Sequence, residues 1–294
     1  MKIDYTEDSV IITGIPDFIP KHVFECGQCF RWDIQPDGSY TGVAHKRVIN
    51  VKRYNDSLVL SNTSRKDFEG IWFKYFDLGR EYSKIRKALI ADRRMKEAVQ
   101  YGRGLRILNQ DEWECLVSFI ISANKSILQI KRIIEDISFR YGEYITSYRG
   151  KDYFSFPDSD RIAELDIGEI RSCKVGYRDK YIHGSARHIS ANKEWLYTLK
   201  DKPYEVAHRE LKTLDGVGEK VSNCVMLFSM AQFNSFPVDV WMHRVMKEIF
   251  SLSGNNNEIK LFAEQKFGRY SGFAQQYLFY YAKENNVGKK DIEI

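Results

Sequence analysis

The sequence predicts an α+β protein: an N-terminal antiparallel β-sheet domain followed by a larger, all-helical region. Three observations carry this. Short β-rich segments crowd the first sixty or so residues, with polar turns between them. From about residue 108 the apolar period changes to that of a helix. Two glycines, Gly216 and Gly218, then mark a tight turn between two helical stretches. Along the chain, Val10-Ile11-Ile12 is a candidate strand and Cys29-Phe30-Arg31-Trp32-Asp33-Ile34 another, closed by the turn Gln35-Pro36-Asp37-Gly38. Ser39 to His45, Arg47 to Arg53 and Ser57 to Leu60 follow, the last entered through Asn55-Asp56. Such spacing favours an antiparallel meander over βαβ units. The stretch from Ser61 to Ile107 is mixed and does not divide cleanly. Beyond it Asp111 caps a helix, with Glu114 three residues on and Trp113, Leu116, Val117, Ile120 and Ile121 on one face. Ser126 caps the next, faced by Ile127, Ile130, Ile133, Ile134 and Ile137. The expected domains are therefore 1–107 and 108–294.

Composition narrows the function. At 294 residues, 43% hydrophobic and 29% charged, the chain can bury a sizeable core, and wholesale disorder is excluded. No apolar run approaches the ~20 residues a bilayer-spanning helix needs. The start, Met1 to Asp8, has no apolar signal core, so the expectation is a cytoplasmic protein, bacterial or archaeal, with a nucleus as the other compartment open to it. Forty-five basic against 40 acidic residues leave +5, a mild lean toward a polyanion. Eighteen Phe and 18 Tyr can fill a core or stack on bases. Five cysteines without a signal peptide suit reduced thiols. Cys26 and Cys29 form a Cys-x-x-Cys, but Cys115, Cys173 and Cys224 are single, so zinc lacks a second ligand pair. An iron–sulfur cluster lacks its cysteines too, since Ser251 to Ile294 has none. The six histidines form no ligand motif, and no metal is expected.

The most informative stretch is Leu214-Asp215-Gly216-Val217-Gly218-Glu219-Lys220-Val221. The glycines allow a tight turn, and the first N–H groups of the next helix can meet a phosphate. On its own, Gly-x-Gly is more often an ordinary helix corner. Lys220, however, falls in the first helical turn, where a cation is disfavoured and carboxylates usually sit. Shielded there, it has reason to shed its proton and act as a nucleophile. Nineteen residues on, Phe236-Pro237-Val238-Asp239-Val240 places Asp239 as cap of a helix from Val240 to Phe250. The plain alternatives are a solvated lysine and an ordinary N-cap.

These two segments together resemble the helix-hairpin-helix DNA glycosylase superfamily, and within it the 8-oxoguanine DNA glycosylase/AP lyase family. Further segments agree: Cys26-Gly27-Gln28-Cys29-Phe30-Arg31-Trp32, Gln110-Asp111 with Glu114-Cys115-Leu116, Ser122-Ala123-Asn124, Gly176-Tyr177-Arg178-Asp179-Lys180-Tyr181, Gly272-Phe273-Ala274-Gln275 and Leu278-Phe279. The resemblance runs from about residue 24 to 281.

It implies a bifunctional enzyme that flips and excises 8-oxoguanine from duplex DNA and then nicks the strand. Lys220 would attack C1′ and form a Schiff base, and Asp239 would stay ionised to stabilise charge on the sugar. The lesion pocket would be Gly27, Cys224, Gln275 and Phe279. The Gly27 carbonyl would accept from N7–H, Phe279 would stack on one face of the base and Cys224 would contact the other. Gln275 would read the Watson–Crick edge. Asn124, Tyr177 and Arg178 would hold the orphaned cytosine and fill the gap, and the Gly216 and Gly218 hairpin would meet the backbone. Two positions depart from the family pattern. Gln129 stands where many members have an arginine that reads the opposite cytosine, and Trp241 where eukaryotic members often have a histidine near the lesion phosphate. No cofactor is implied beyond a monovalent cation that the hairpin carbonyls could hold. The expected partner is double-stranded DNA, bound by a monomer. The alternatives are a monofunctional glycosylase that activates water, or a non-catalytic DNA-binding module.

Overall fold

In the computed structural model, which describes residues 1–287, six strands form one antiparallel sheet and a body of helices follows. The last residues of the expected second domain, 288–294, lie outside the described residues. The strands are β1 (Lys2–Tyr5), β2 (Ser9–Thr13), β3 (Trp32–Ile34), β4 (Tyr40–Ala44), β5 (Arg47–Tyr54) and β6 (Ser57–Ser61). Their order is β1-β2-β6-β5-β4-β3. Strands β3 to β6 are thus the expected meander, and the β1–β2 hairpin adds to its outer edge through β2 and β6. Strand β1 carried no clear period and was not expected.

The third strand is shorter than its sequence suggested. Cys29 points into the sheet's core and Phe30 into the helical core, so the chain crosses between the two before pairing begins at Trp32. The sheet's core is aromatic, with Phe24 stacked on Trp32 at 3.9 Å between ring centroids.

The principal helices are α1 (Tyr82–Leu89), α2 (Lys96–Tyr101), α3 (Glu112–Ser122), α4 (Ile127–Tyr141), α5 (Asp179–Ala191), α6 (Tyr204–Leu211), α7 (Glu219–Ser229), α8 (Val240–Phe250), α9 (Asn256–Phe267) and α10 (Ser271–Glu284). The expected caps are present: Asp111 accepts from the Glu114 N–H at 2.9 Å, and Ser126 forms a full capping box with Gln129. Helices α1 and α2, from the stretch that resisted division, bury Tyr82, Ile85, Leu89, Ala98 and Val99 in the helical core.

That region is not all-helical, which corrects the expectation. Between α4 and α5 lies a hairpin, β7 (Tyr144–Tyr148) and β8 (Lys151–Phe154). Arg149 and Gly150 join it, both at positive φ (51° and 79°), which matches the twist of paired strands. Tyr153 of β8 buries against Val43 and Val48 of the sheet.

Candidate active site

Gly27 lies in the loop between the sheet and the helical body, at φ +84°. A Cβ there would come within 3.0 Å of the Phe279 ring, so glycine keeps the two in close approach. The loop is stapled from inside by Gln28. Its fully buried amide donates to the Val23 carbonyl at 2.8 Å and the Arg106 carbonyl at 2.7 Å, and accepts from the Leu108 N–H at 2.9 Å.

Helices α6 and α7 are joined by the turn 212–218, which is the helix-hairpin-helix. Gly216 has φ +81°, and a Cβ on it would lie 2.5 Å from the Tyr181 ring. Gly218 has an ordinary φ of −93° and is the N-cap residue of α7. The sequence suggested a close backbone approach at this turn; what approaches is an aromatic ring. Glu219, first residue of α7, anchors the turn by pairing with Lys212, with His208 at 3.1 Å and with Lys260 of α9 at 3.4 Å. Burial works against its charge, but Lys212, His208 and Lys260 together hold its carboxyl below the usual range.

Lys220 follows in the first turn of α7 and is half-buried. Its Nζ donates to Ser122 Oγ at 2.7 Å, at the end of α3, and lies 5.0 Å from the centre of the Phe119 ring. Asp239 caps α8, accepting from the Met242 N–H at 2.9 Å. Among the described residues neither Lys220 nor Asp239 belongs to an ion pair. Both open onto one cavity of about 610 Å³, with Gly27, Phe279, Ser122 and Trp241 around it. A cavity of that size holds a group as large as a nucleobase.

The other pocket candidates sit around this cavity to different depths. Phe279 of α10 lines it directly. Gln275, one turn earlier, is buried, and its Oε1 has no hydrogen-bond partner. Cys224, one turn beyond Lys220, is buried behind the wall. Burial pushes its thiol up to about 11, against the pull of Lys220 and with the help of Asp239. All five cysteines are free and buried, and burial likewise raises the Cys26 and Cys29 thiols. Among the described residues no group of three or more His, Cys, Asp or Glu side chains could hold a metal ion, and no helix is long and apolar enough to cross a membrane.

Asn124 is exposed at φ +55° just past α3, and Tyr177 is 60% exposed. Arg178, expected beside them at the orphaned cytosine, is held from within the protein. It is only 4% exposed, donates to the carbonyls of Ala123 and Val175, and lies 4.5 Å from the Tyr177 ring centre. It therefore props the Ala123–Asn124 turn and the Tyr177 ring from beneath. Gln129 is exposed on α4, where its Oε1 accepts from the Ser126 N–H at 2.9 Å. Trp241 lines the cavity with the Arg244 guanidinium 5.4 Å from its ring.

With this geometry in view, similarity to known proteins becomes informative. Residues 10–116 match the 8-oxoguanine DNA glycosylase N-terminal domain, and residues 117–268 match the HhH-GPD superfamily of base excision DNA repair proteins. The chain belongs to the 8-oxoguanine DNA glycosylase family of the HhH-GPD superfamily. It is 30% identical to the Arabidopsis thaliana N-glycosylase/DNA lyase OGG1, over 91% of this chain and 80% of that protein. It is also 30% identical to a probable N-glycosylase/DNA lyase of Methanothermobacter thermautotrophicus, over 82% of this chain and 81% of that one. The Clostridium acetobutylicum 8-oxoguanine glycosylase/lyase, solved with double-stranded DNA containing cytosine opposite 8-oxoG, superimposes with a TM-score of 0.95. The two are 41% identical, over 98% of this chain and 99% of that one.

Sequence reasoning gave no role to several residues that build this family's cavity here. Ser122 was part of a quoted motif but not expected to meet Lys220. Lys125 and Lys283 line the cavity, leaving it with three ammonium groups against the single carboxylate of Asp239. A lysine on a polar helix face looks like any solvated one, so only tertiary contact could reveal these.

Proposed function

We propose that this chain is a bifunctional DNA glycosylase that excises 8-oxoguanine and nicks the strand at the resulting site. The observation that carries it is the shared cavity: a half-buried amine, a carboxylate and the loop glycine of a base pocket open onto one space of about 610 Å³.

The chemistry follows from what each group can do. Lys220, once neutral, keeps an N–H on Ser122 Oγ and directs its lone pair at C1′. The Nζ–C1′ bond forms, the C1′–N9 bond breaks, and the electron pair leaves with the base, which takes up a proton. Positive charge grows on the sugar meanwhile, and a fixed carboxylate at Asp239 stabilises it in a site with little water. The amine then loses its proton and the sugar ring opens to the Schiff base. Removal of a C2′ proton expels the 3′ phosphate, and hydrolysis of the imine returns Lys220.

Recognition rests on one proton. 8-Oxoguanine carries N7–H where guanine has a lone pair, so a carbonyl acceptor at Gly27 favours the lesion. Phe279 stacks on the base, and the unpartnered Gln275 oxygen awaits a donor on its edge. The exposed Tyr177 and Asn124 fill the gap left in the duplex. One chain supplies every one of these groups, which supports action as a monomer. The backbone carbonyls of the exposed turn at Asp215–Gly216 are donors suited to a weakly held monovalent ion at the DNA backbone. No step above depends on it.

Borohydride with duplex DNA containing 8-oxoguanine is the deciding experiment. The wild type should form a trapped adduct. Lys220→Gln should keep its affinity for the lesion duplex while losing nicking by at least on the order of 10³-fold. Base release without trapping would instead mean a water-activating glycosylase, and binding without release a DNA-binding module.

A further inference from the structure

The loop around Gly27 is held carbonyl by carbonyl, with one left over. The Glu25 carbonyl accepts from Lys283 Nζ at 3.1 Å. The Cys26 carbonyl accepts from Gln276 Nε2 at 2.8 Å, and the Gln28 carbonyl from Gln110 Nε2 at 2.7 Å. Among the described residues, no donor reaches the Gly27 carbonyl.

Gln276 is the unusual member. It is 1% exposed, in a stretch of α10 where Phe273, Ala274, Tyr277 and Leu278 are apolar and buried. An apolar side chain would fill that place without the cost of burying an amide. Its neighbour Gln275 belongs to the base pocket, so one helix both borders the lesion and grips the loop that faces it.

We propose that Gln276 is a positioning residue for lesion recognition. It locks the Cys26–Gly27 peptide plane and so prevents the next peptide unit from flipping. Glycine has no side chain to oppose such a flip, because it accepts positive and negative φ alike. The flip would matter chemically. It would replace the Gly27 carbonyl with the Gln28 N–H, turning an acceptor for N7–H into a donor for a bare N7. The pocket would then favour guanine over 8-oxoguanine. Gln110 secures the following plane through the Gln28 carbonyl.

This deepens the reading of Gly27 as the N7–H contact and rests on it. The test is single-turnover excision by wild type and Gln276→Met on duplexes carrying 8-oxoguanine or its 7-deaza analogue, which lacks the N7 proton. Strand cleavage at a preformed abasic site is measured in the same preparations. The wild type should prefer 8-oxoguanine. Gln276→Met should lose that preference by on the order of ten-fold, with abasic-site cleavage within about two-fold of wild type. An unchanged preference overturns the proposal, and so does an equal loss in both reactions by a soluble, folded variant. Indifference of the wild type itself to the analogue removes the Gly27 contact, a separate failure read from a separate protein. Should Gln276→Met not fold, Gln110→Met decides by the same two readouts, since it frees the loop from a different element.

Discussion

At Gln129 a single side chain already has work in the free protein. Its amide oxygen closes the capping box of α4, while its Nε2 has no partner among the described residues. An arginine there would carry a fixed charge and a longer reach, and could grip the two acceptors that guanine or cytosine edges present. Glutamine is shorter and neutral. We therefore expect weak discrimination against a lesion opposite adenine in the wild type. Gln129→Arg should slow excision opposite adenine relative to cytosine, at a cost of about 0.5–1 kcal/mol for the lost cap. Excision measured opposite each of the four bases checks this, and matching profiles would sink it. Single residues were the least legible scale. Lys220 and Asp239 look like a surface lysine and a helix cap, and Asp239 is indeed a cap. Only the joint pattern of several segments singled them out. Arg178 read as a DNA contact, and the sequence did not show that two of its guanidinium nitrogens also donate to the Ala123 and Val175 carbonyls while its buried Nε has no partner.

The hairpin between α6 and α7 separates two glycines that look alike in the sequence. Gly216 sits at positive φ with the Tyr181 ring in the space a Cβ would need. Gly218 has ordinary φ and nothing within 4 Å. Gly216→Ala should therefore distort the turn, lower the melting temperature and weaken DNA binding by on the order of ten-fold or more. Gly218→Ala should lose only a few tenths of a kcal/mol on folding, provided the N–H groups of α7 stay open to phosphate. Equal losses by both, in thermal melts and in duplex titrations, would contradict this account. Elements whose signal is local were legible. Asp111, Ser126 and Asp239 marked helix starts that the structure keeps, and turn residues marked most of the sheet. The hairpin of β7 and β8 was not, because only four or five residues form each strand and their burial comes from Val43 and Val48, about a hundred residues away. Strand β1 went unseen for a different reason: it is an edge strand, and its alternation is weak.

For the molecule as a whole, the two cores meet at a buried ion pair whose charge depends on pH. Arg31, just after the Gly27 loop, lies 3.9 Å from Glu114 on α3, and it also donates to the Phe154 carbonyl of the second hairpin. Helix α3 carries Glu114 at one end and Ser122, the partner of Lys220, at the other. The Glu114 side chain is 21% exposed. Burial pushes its carboxyl up to about 7, the Arg31 guanidinium opposes the rise, and the Asp111 carboxylate adds to it. Cys29 and Tyr75 also face it, but burial keeps both protonated through the neutral range. The folded protein thus binds this proton more tightly than the unfolded chain, whose carboxyl titrates near 4.5. The stabilisation is complete below that value and is lost as pH rises through about 7. Over that window the loss should be on the order of 2 kcal/mol, or several degrees in melting temperature. Glu114→Gln cannot make the change. His22 and His208 titrate in both proteins, so subtracting one melting curve from the other isolates Glu114. The wild type should lose stability relative to Glu114→Gln between pH 5 and 8, and parallel curves would show that the junction carries no titrating charge. Because α3 spans from this junction to Ser122, we expect the same titration to reach the Lys220 amine, the proposed nucleophile, through that helix. A shift in the pH profile of nicking by Glu114→Gln, with abasic-duplex affinity unchanged, is the outcome this coupling requires.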